Sequence, residues 1–423
     1  MAKRLAVIGG GWAGCAAAVQ AVDEGHDVVL FEMAEQLGGR ARRVDVEGFP
    51  LDNGQHILIG ACTEALRLMR LVGVRTTLDM LRTPLQLIFA DGSGFFVEPG
   101  APRSSLTRGV LRHADWSFSE KLSLLRAGAA WMATGFRCPP EWTVDRLCGS
   151  LAPRVRAELL DPLCVATLNT LPGEASAAVF LRVLKDGVFS AAGASDLLLP
   201  RTNLSTLFPE AAADWLLQAG ATVRLSCRVD RVESEGVAWR VDGERYDAVV
   251  LAACAPEAAR LAQRVAPDWA ACAAALRFEP VITVYMRGDG ARLPVPMLAL
   301  HAGAEAPARF VFDHGQLDGP LGLLAFVVSA ASPWAERGLD ATAQAVLQQA
   351  ERELGRLYRP PLRLVRTMLE ARAALRCTPQ LQRPGASIAQ GLWAAGDYIE
   401  GPYPATLEGA VRSGVHAARL VLA

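Results

Sequence analysis

Gly9, Gly11 and Gly14, spaced Gly-x-Gly-x-x-Gly behind the apolar run of residues 5–8, are the first residues in this chain whose types and spacing fit a chemical task. That task is holding a pyrophosphate. Gly9 turns the chain tightly, Gly11 lets backbone approach a phosphate with no Cβ in the way, and Gly14 lets the following helix pack closely on the strand. Trp12 and Ala13 fall in the first turn of that helix, whose N-terminus offers N–H groups to phosphate charge. Residues 28–31 read as a second buried strand, and Glu32 at its end is placed to accept both hydrogen bonds of a ribose diol. A bare glycine motif recurs by chance in loops. Here strand, glycines, small-residue helix, second strand and acid come in order, which points to a dinucleotide site.

Further candidates follow along the chain. Gly38 and Gly39 free the backbone just after the ribose-binding strand, and Arg40 and Arg42 can neutralise phosphate there, although a loop with two solvated arginines has the same composition. Near the C-terminus a short buried strand ends in Gly396-Asp397, and a helix begins near Thr406 and Leu407. An acid at a strand end and a helix N-terminus aimed the same way suit a ribityl chain and a flavin ring, because reduced flavin is negative near N1. A plain docking helix with an N-cap is the alternative. Gly409 and Gly414 inside this helix point to close backbone packing. The segment Asp52-Asn53-Gly54-Gln55-His56 forms a glycine-containing loop that would run beside the isoalloxazine, making Gly54 and Gln55 cofactor contacts. His56 is then the candidate for a catalytic or flavin-contacting group, against a structural role. Asp52 fits a loop-fixing role through hydrogen bonds to backbone. Tyr398, Glu400 and Tyr403 are alternative proton donors, with turn packing and solvent exposure as the plainer readings, and the sequence does not rank them.

The elements that must position these residues are discontinuous. The chain has 423 residues, 51% of them hydrophobic, enough at about 150 residues per domain for two or three domains. Residues 1–75, 204–275 and 385–423 carry the nucleotide-binding pattern: a helix over 62–72, a helical stretch over 204–219, a strand over 222–229, and a hairpin turning at Asp242-Gly243. Residues 76–203 and 276–384 are richer in Leu, Trp and Phe, are broken by Pro, and read as a second, inserted domain. A net charge of −1 gives no electrostatic case for nucleic acid. Nine cysteines without ligand or disulfide-scaffold spacing predict no metal and a cytoplasmic home. Residues 1–4 run directly into a strand, leaving no room for a signal peptide, and no apolar stretch approaches the ~20 residues that span a bilayer. Residues 321–335, the nearest, read as a buried strand.

The glycine motif, Glu32, Gly38-Gly39-Arg40 and Gly396-Asp397 together resemble the superfamily of FAD-dependent amine oxidases and carotenoid desaturases, over nearly the whole chain. Residues 51–62 and 404–414 are more specifically similar to the hydroxysqualene dehydroxylases. The resemblance implies an α/β fold: a Rossmann-like FAD-binding domain with a discontinuous, inserted α+β substrate domain. It also places Glu32 on the adenosine ribose, Arg40 near the diphosphate, the Val229 backbone beside the adenine and Asp397 on the ribityl-phosphate side. The implied reaction is reductive: a C30 isoprenoid allylic alcohol loses its hydroxyl and gains hydride from reduced FAD, in squalene and hopanoid biosynthesis. Protonating a hydroxyl and then forming an allylic cation favour a dry pocket with π faces. Trp116, Phe118, Trp131, Phe136, Trp142 and Leu163 of the insert could wall it, or simply form a core. The partners implied are an electron donor for the flavin, neighbouring prenyl-transfer enzymes and the cytoplasmic membrane face, met by residues 122–136 as a docking or core helix. A polyene desaturase would share these motifs with the hydride running the other way. An amine oxidase would place a lysine near flavin N5 from the second half of the chain, and no lysine follows Lys185. A non-catalytic assembly partner of FAD fold is the remaining alternative.

Overall fold

The computed structural model describes residues 2–421, apart from 47, 99, 359 and 360. Its centre is a six-stranded sheet in the order Thr222–Arg224, Asp27–Phe31, Arg4–Ile8, Ala248–Leu251, Leu392–Ala394, Ser387–Ala389. All neighbours are parallel except the last pair. The inner strands are continuous apolar runs because both faces are covered. Helix Trp12–Asp23 packs on one face and is buried from Trp12 to Ala21. Against it lies helix Leu407–Leu420, whose Ala410, Val411, Val415 and Ala418 turn inward. Gly414 permits this approach: a Cβ there would overlap the Ala13 carbonyl oxygen.

Three local differences from the sequence reading have physical causes. The helical stretch over 204–219 is two helices, Leu204–Leu207 and Pro209–Gln218, broken at Phe208 because the ring of Pro209 disfavours a helical conformation in the residue before it. The strand expected over 222–229 ends at Arg224, and Ser226 takes a positive φ. The hairpin turns at Asp242-Gly243 as read, both with positive φ, but its return arm breaks after Tyr246. Glu244–Tyr246 pairs in a three-stranded antiparallel sheet, and Ala248–Leu251 enters the central sheet.

A second sheet, antiparallel and five-stranded, runs Met297–Ala299, Phe310–Asp313, Leu323–Val328, Phe278–Arg287, Arg363–Leu375. Its alternation sends Ile282, Val284 and Met286 towards helix Leu339–Leu354. Tyr285 faces the other way, into a core shared with helices Phe118–Ala133, Asp161–Leu168 and Ala177–Val183. Two π-helical turns, Arg156–Leu160 and Leu184–Val188, interrupt this helical layer. Of residues 321–335, expected as one buried strand, Leu323–Val328 is strand, and a short helix, Ser332–Arg337, takes up the end because Pro333 fits the first turn of a helix and has no N–H for a ladder. The hairpin Arg43–Val46 and Phe49–Asp52 sends Val46 and Leu51 into the core that Tyr285 faces, so residues within 1–75 contribute to that core as well as to the one around helix Trp12–Asp23.

Candidate functional site

The glycine loop leaves the first strand at Gly9, whose φ of +110° favours glycine. Gly14 lies so close beneath that a Cβ on it would overlap the Gly9 carbonyl oxygen. Gly11 differs: its φ is −74°, and a Cβ there would meet only the Gly39 Cα, at 3.9 Å. Gly11 and Gly38 pair as an isolated parallel bridge, and the Gly38 amide donates to the Gly10 carbonyl at 2.8 Å. Two glycine-lined backbones therefore face each other at the start of helix Trp12–Asp23. This helix has no side-chain cap, and the amides of Trp12, Ala13 and Gly14 in its first turn lack intrahelical acceptors. Glycine walls, free donors and the positive helix end fit a diphosphate. The Trp12 indole donates to the Ala41 carbonyl at 3.2 Å and ties the helix to the arginine loop.

Glu32 is buried at the strand end, its oxygens accepting from the Gly10 amide at 2.7 Å and the Ala34 amide at 2.8 Å. A carboxylate retains lone pairs beyond these two bonds, so ribose hydroxyls can still donate to it. Val229 is buried beside Phe31 and Ile8, and its carbonyl accepts from Arg260 at 2.8 Å. Arg40 reaches Asp397 Oδ1 at 2.5 Å and also donates to the carbonyls of Arg372 and Ala373 at 3.0 and 3.2 Å. Burial opposes its charge, but the Asp397 carboxylate outweighs this and raises the guanidinium pKa further. One arginine thus joins the glycine loop, the Gly396-Asp397 strand end and the second sheet. Arg42 instead closes its own loop, donating to the Gly39 carbonyl.

The loop after Asp52 lies where these parts meet. Asp52 Oδ1 accepts from the Leu204 amide at 2.8 Å, the loop-fixing role read from sequence, and burial pushes its carboxyl up to about 7. Asn53 reaches Glu370 at 3.4 Å. His56 is half-buried, and its Nδ1 is 3.0 Å from the Gly54 carbonyl oxygen. A carbonyl only accepts, so Nδ1 carries the proton and Nε2 is a bare lone pair. Burial, helped by the Arg40 charge, lowers the His56 pKa, so the ring is neutral at pH 7. Gln55 donates from Nε2 to the Tyr285 hydroxyl and to His314 Nε2, both at 3.0 Å, while Tyr285 donates to the Asp52 carbonyl at 2.9 Å. Burial pulls His314 down to about 4. Tyr285, His314 and Glu370 escaped the sequence reading, because each lies more than 200 residues from the loop it holds. The run 281–286, apolar on both faces, marks a buried strand but does not say which face Tyr285 takes.

The alternative donors do not converge. Tyr398 is buried with its hydroxyl on the Ala253 carbonyl at 3.2 Å, and burial raises its pKa. Tyr403 donates to Asp186 at 2.7 Å, with burial and that carboxylate raising its pKa, and Glu400 is exposed on the same open groove. Thr406 caps the last helix by accepting from the Gly409 amide at 2.9 Å, while the Leu407 and Glu408 amides, in the first turn, have no intrahelical acceptor. The buried Glu408 carboxylate accepts from the Glu64 and Ala65 amides at 3.1 and 2.9 Å, capping helix Thr63–Leu71 from a distance. That role was invisible in sequence.

The Rossmann-like sheet, the facing glycine loops and the Gly396-Asp397 strand end define an FAD-dependent oxidoreductase. More particularly, the chain belongs to the family of flavin containing amine oxidoreductases, whose model matches residues 12–422. Among curated relatives, the hydroxysqualene dehydroxylase of Sinorhizobium fredii is 28% identical over 100% of this chain and 99% of its own. The zeta-carotene desaturase of Synechocystis sp. is 38% identical over 18% of this chain and 16% of its own. Among solved structures, cyclohexylamine oxidase from Brevibacterium oxydans, 17% identical, shares the fold with a TM-score of 0.69 over 100% of this chain and 99% of that one.

Proposed function

We propose that this protein is a hydroxysqualene dehydroxylase, making squalene from hydroxysqualene. The observation that carries the reading is similarity to a hydroxysqualene dehydroxylase along the full length of both chains, whereas the desaturase likeness covers a short segment. Bound, reduced FAD would supply the hydride. The substrate's C–O bond breaks, its oxygen takes a proton and leaves as water, and a C–H bond forms. Gly9, Gly11, Trp12, Ala13, Gly14 and the Gly38-Gly39 loop would hold the diphosphate, with Arg40 released from Asp397 to meet its charge. Glu32 would hold the ribose, Val229 the adenine and Asp397 the ribityl chain. Gly54 and Gln55 would line the ring, and the Leu407 amide would face its N1 edge. The insert of residues 76–203 and 276–384 would hold the isoprenoid in a cavity whose lining includes Leu124, Trp131 and Leu163. The three lysines lie at the C-terminal helix, on helix Phe118–Ala133 and on an exposed turn, an arrangement that does not favour amine chemistry. All nine cysteines are free, which suits a reducing cytoplasm.

His56 is the group we assign to proton transfer. Its bare Nε2 must be protonated before it can act as an acid, so turnover should fall as pH rises through a value below the ordinary 6.5 of histidine. The test is anaerobic incubation of FAD-loaded, chemically reduced protein with hydroxysqualene, followed by lipid analysis across a pH series. Squalene should appear, and His56→Ala should bind FAD, lose about 100-fold in rate and flatten the pH profile. Added double bonds with oxygen consumption would instead make the protein a desaturase. Unchanged turnover in His56→Ala would return His56 to a structural role.

A further inference from the structure

Helix Phe118–Ala133 carries, beside its core-facing side, a second apolar stripe that is exposed at Phe118, Ala129 and Met132 and partly covered at Leu122 and Leu125. Phe118, Leu122, Leu125, Ala129 and Met132 recur at i, i+4, i+7, i+11 and i+14, so they share one face. That face looks outward: Phe118 is 78% and Met132 37% exposed, Ala129 is exposed, and Leu122 and Leu125 are half-buried. Leu124 and Trp131 point the other way, into the core. The stripe also edges a cavity. Leu125, Ala129 and Met132 line it together with Leu106, Leu163 and Phe189, almost without polar surface. Leu111, on the adjoining helix Pro102–Arg112, adds a side chain 53% exposed, next to Lys121, whose Nζ donates to the Leu111 carbonyl at 2.9 Å.

Charge distinguishes the occupants such a face could take. Residues 98–141 contain six arginines and lysines against Glu98, Asp115, Glu120 and Glu141, a net +2 in a chain whose net charge is −1; Arg108 and Arg112 pair with Glu98, and Lys121, Arg126 and Arg137 stand on or beside the stripe's helix. Two copies meeting through this face would bring like charges together, whereas an anionic lipid surface complements it. Among the described residues no helix is long and apolar enough to cross a membrane. A capped helix that is anchored in the core through Leu124, Ala127 and Trp131 and presents a second apolar stripe flanked by Lys121 and Arg126 can rest that stripe in the headgroup boundary while the rest of the chain stays in water. We propose that the stripe from Phe118 to Met132 docks on an anionic bilayer and opens the apolar cavity to lipid. The cavity would then take a hydrocarbon-like molecule directly from the membrane. This deepens the isoprenoid reading and rests on it only for the identity of the cargo.

The test is flotation of the FAD-loaded full chain with phosphatidylcholine vesicles and with vesicles enriched in phosphatidylglycerol. Wild type should float with the anionic vesicles, less so at high salt, and weakly with the neutral ones. Phe118→Glu/Met132→Glu should reduce binding about tenfold or more, since two apolar side chains no longer leave water. The same variant should keep its flavin, its circular dichroism spectrum and its melting temperature, which shows that the loss of binding is not a loss of fold. Arg126→Glu/Arg137→Glu should weaken binding to anionic vesicles alone. Absence of wild-type flotation, or equal flotation of the stripe variant, would overturn the proposal. So would sedimentation showing a dimer that the stripe variant splits, because the face would then belong to a second copy. Flotation needs no turnover, so failure of hydroxysqualene as substrate leaves the docking result intact and is recognised separately.

Discussion

Gly11 and Gly14 are three residues apart, yet a side chain added to each has different consequences. At Gly14 the Cβ overlaps the Gly9 carbonyl, so Gly14→Val should destabilise the fold by about 3 kcal/mol and lower the yield of native protein. At Gly11 the backbone is ordinary and the space is open, so Gly11→Val should fold, show an unchanged circular dichroism spectrum and bind no flavin. Flavin retained by that variant would move the diphosphate elsewhere. Asp52 gives a second expectation. Its folded pKa, near 7, lies above the unfolded value near 3.9, so its contribution to stability is complete below pH 4 and is lost as pH rises through 7. Asp52→Asn stays neutral and still accepts from Leu204. Urea denaturation should therefore show the variant gaining on wild type between pH 4 and 7, by at most about 4 kcal/mol, then levelling off. His314, held neutral, acts oppositely, losing its contribution as pH falls below 6.5 towards 4.

Elements differ in how far sequence foretells them. The first strand, helix and second strand were legible because each satisfies its own local requirement: β-branched burial, small residues at a close contact, an acid at the strand end. The C-terminal helix was legible for the same reason, and Gly414 marked its contact before the partner was known. Phe208, Ser226 and the break at Asp247 were not, since each depends on which neighbour the chain meets next. Gly414→Leu should force the first and last helices, Trp12–Asp23 and Leu407–Leu420, apart and cost about 3 kcal/mol, read as a fall in melting temperature. Thr406→Ala removes only the cap and should cost about 1 kcal/mol. If the helix N-terminus faces flavin N1, Gly414→Leu should weaken FAD binding more than its stability loss explains. Equal losses would make the helix purely a docking element.

At the scale of the whole molecule, the candidate site exists only in the folded chain. Gly11, Gly39, Glu32 and Asp397 come from segments separated by as much as 350 residues or more, and Arg40 ties the Gly39 loop to Asp397 and to the backbone of Arg372 and Ala373. The motifs were readable as words in the sequence, but their mutual distances were set by tertiary contacts such as Tyr285 on the Asp52 carbonyl and Glu408 on the Glu64 amide. An assembly of this kind binds cofactor in the native state and not in the unfolded one, so FAD must stabilise it by mass action. At a thousand times its dissociation constant the gain is about 4 kcal/mol. Thermal unfolding of apoprotein should shift upward with FAD concentration, and Gly11→Val should show no shift. Cys15, the cysteine nearest the glycine loop, is buried with its thiol pKa raised by desolvation, which makes it a poor nucleophile for a flavin linkage. Acid precipitation of the loaded protein should therefore leave the yellow colour in solution. Colour retained in the pellet would mean a covalent bond, and the concentration-dependent thermal shift would then vanish as well, because a tethered cofactor no longer equilibrates with the bulk.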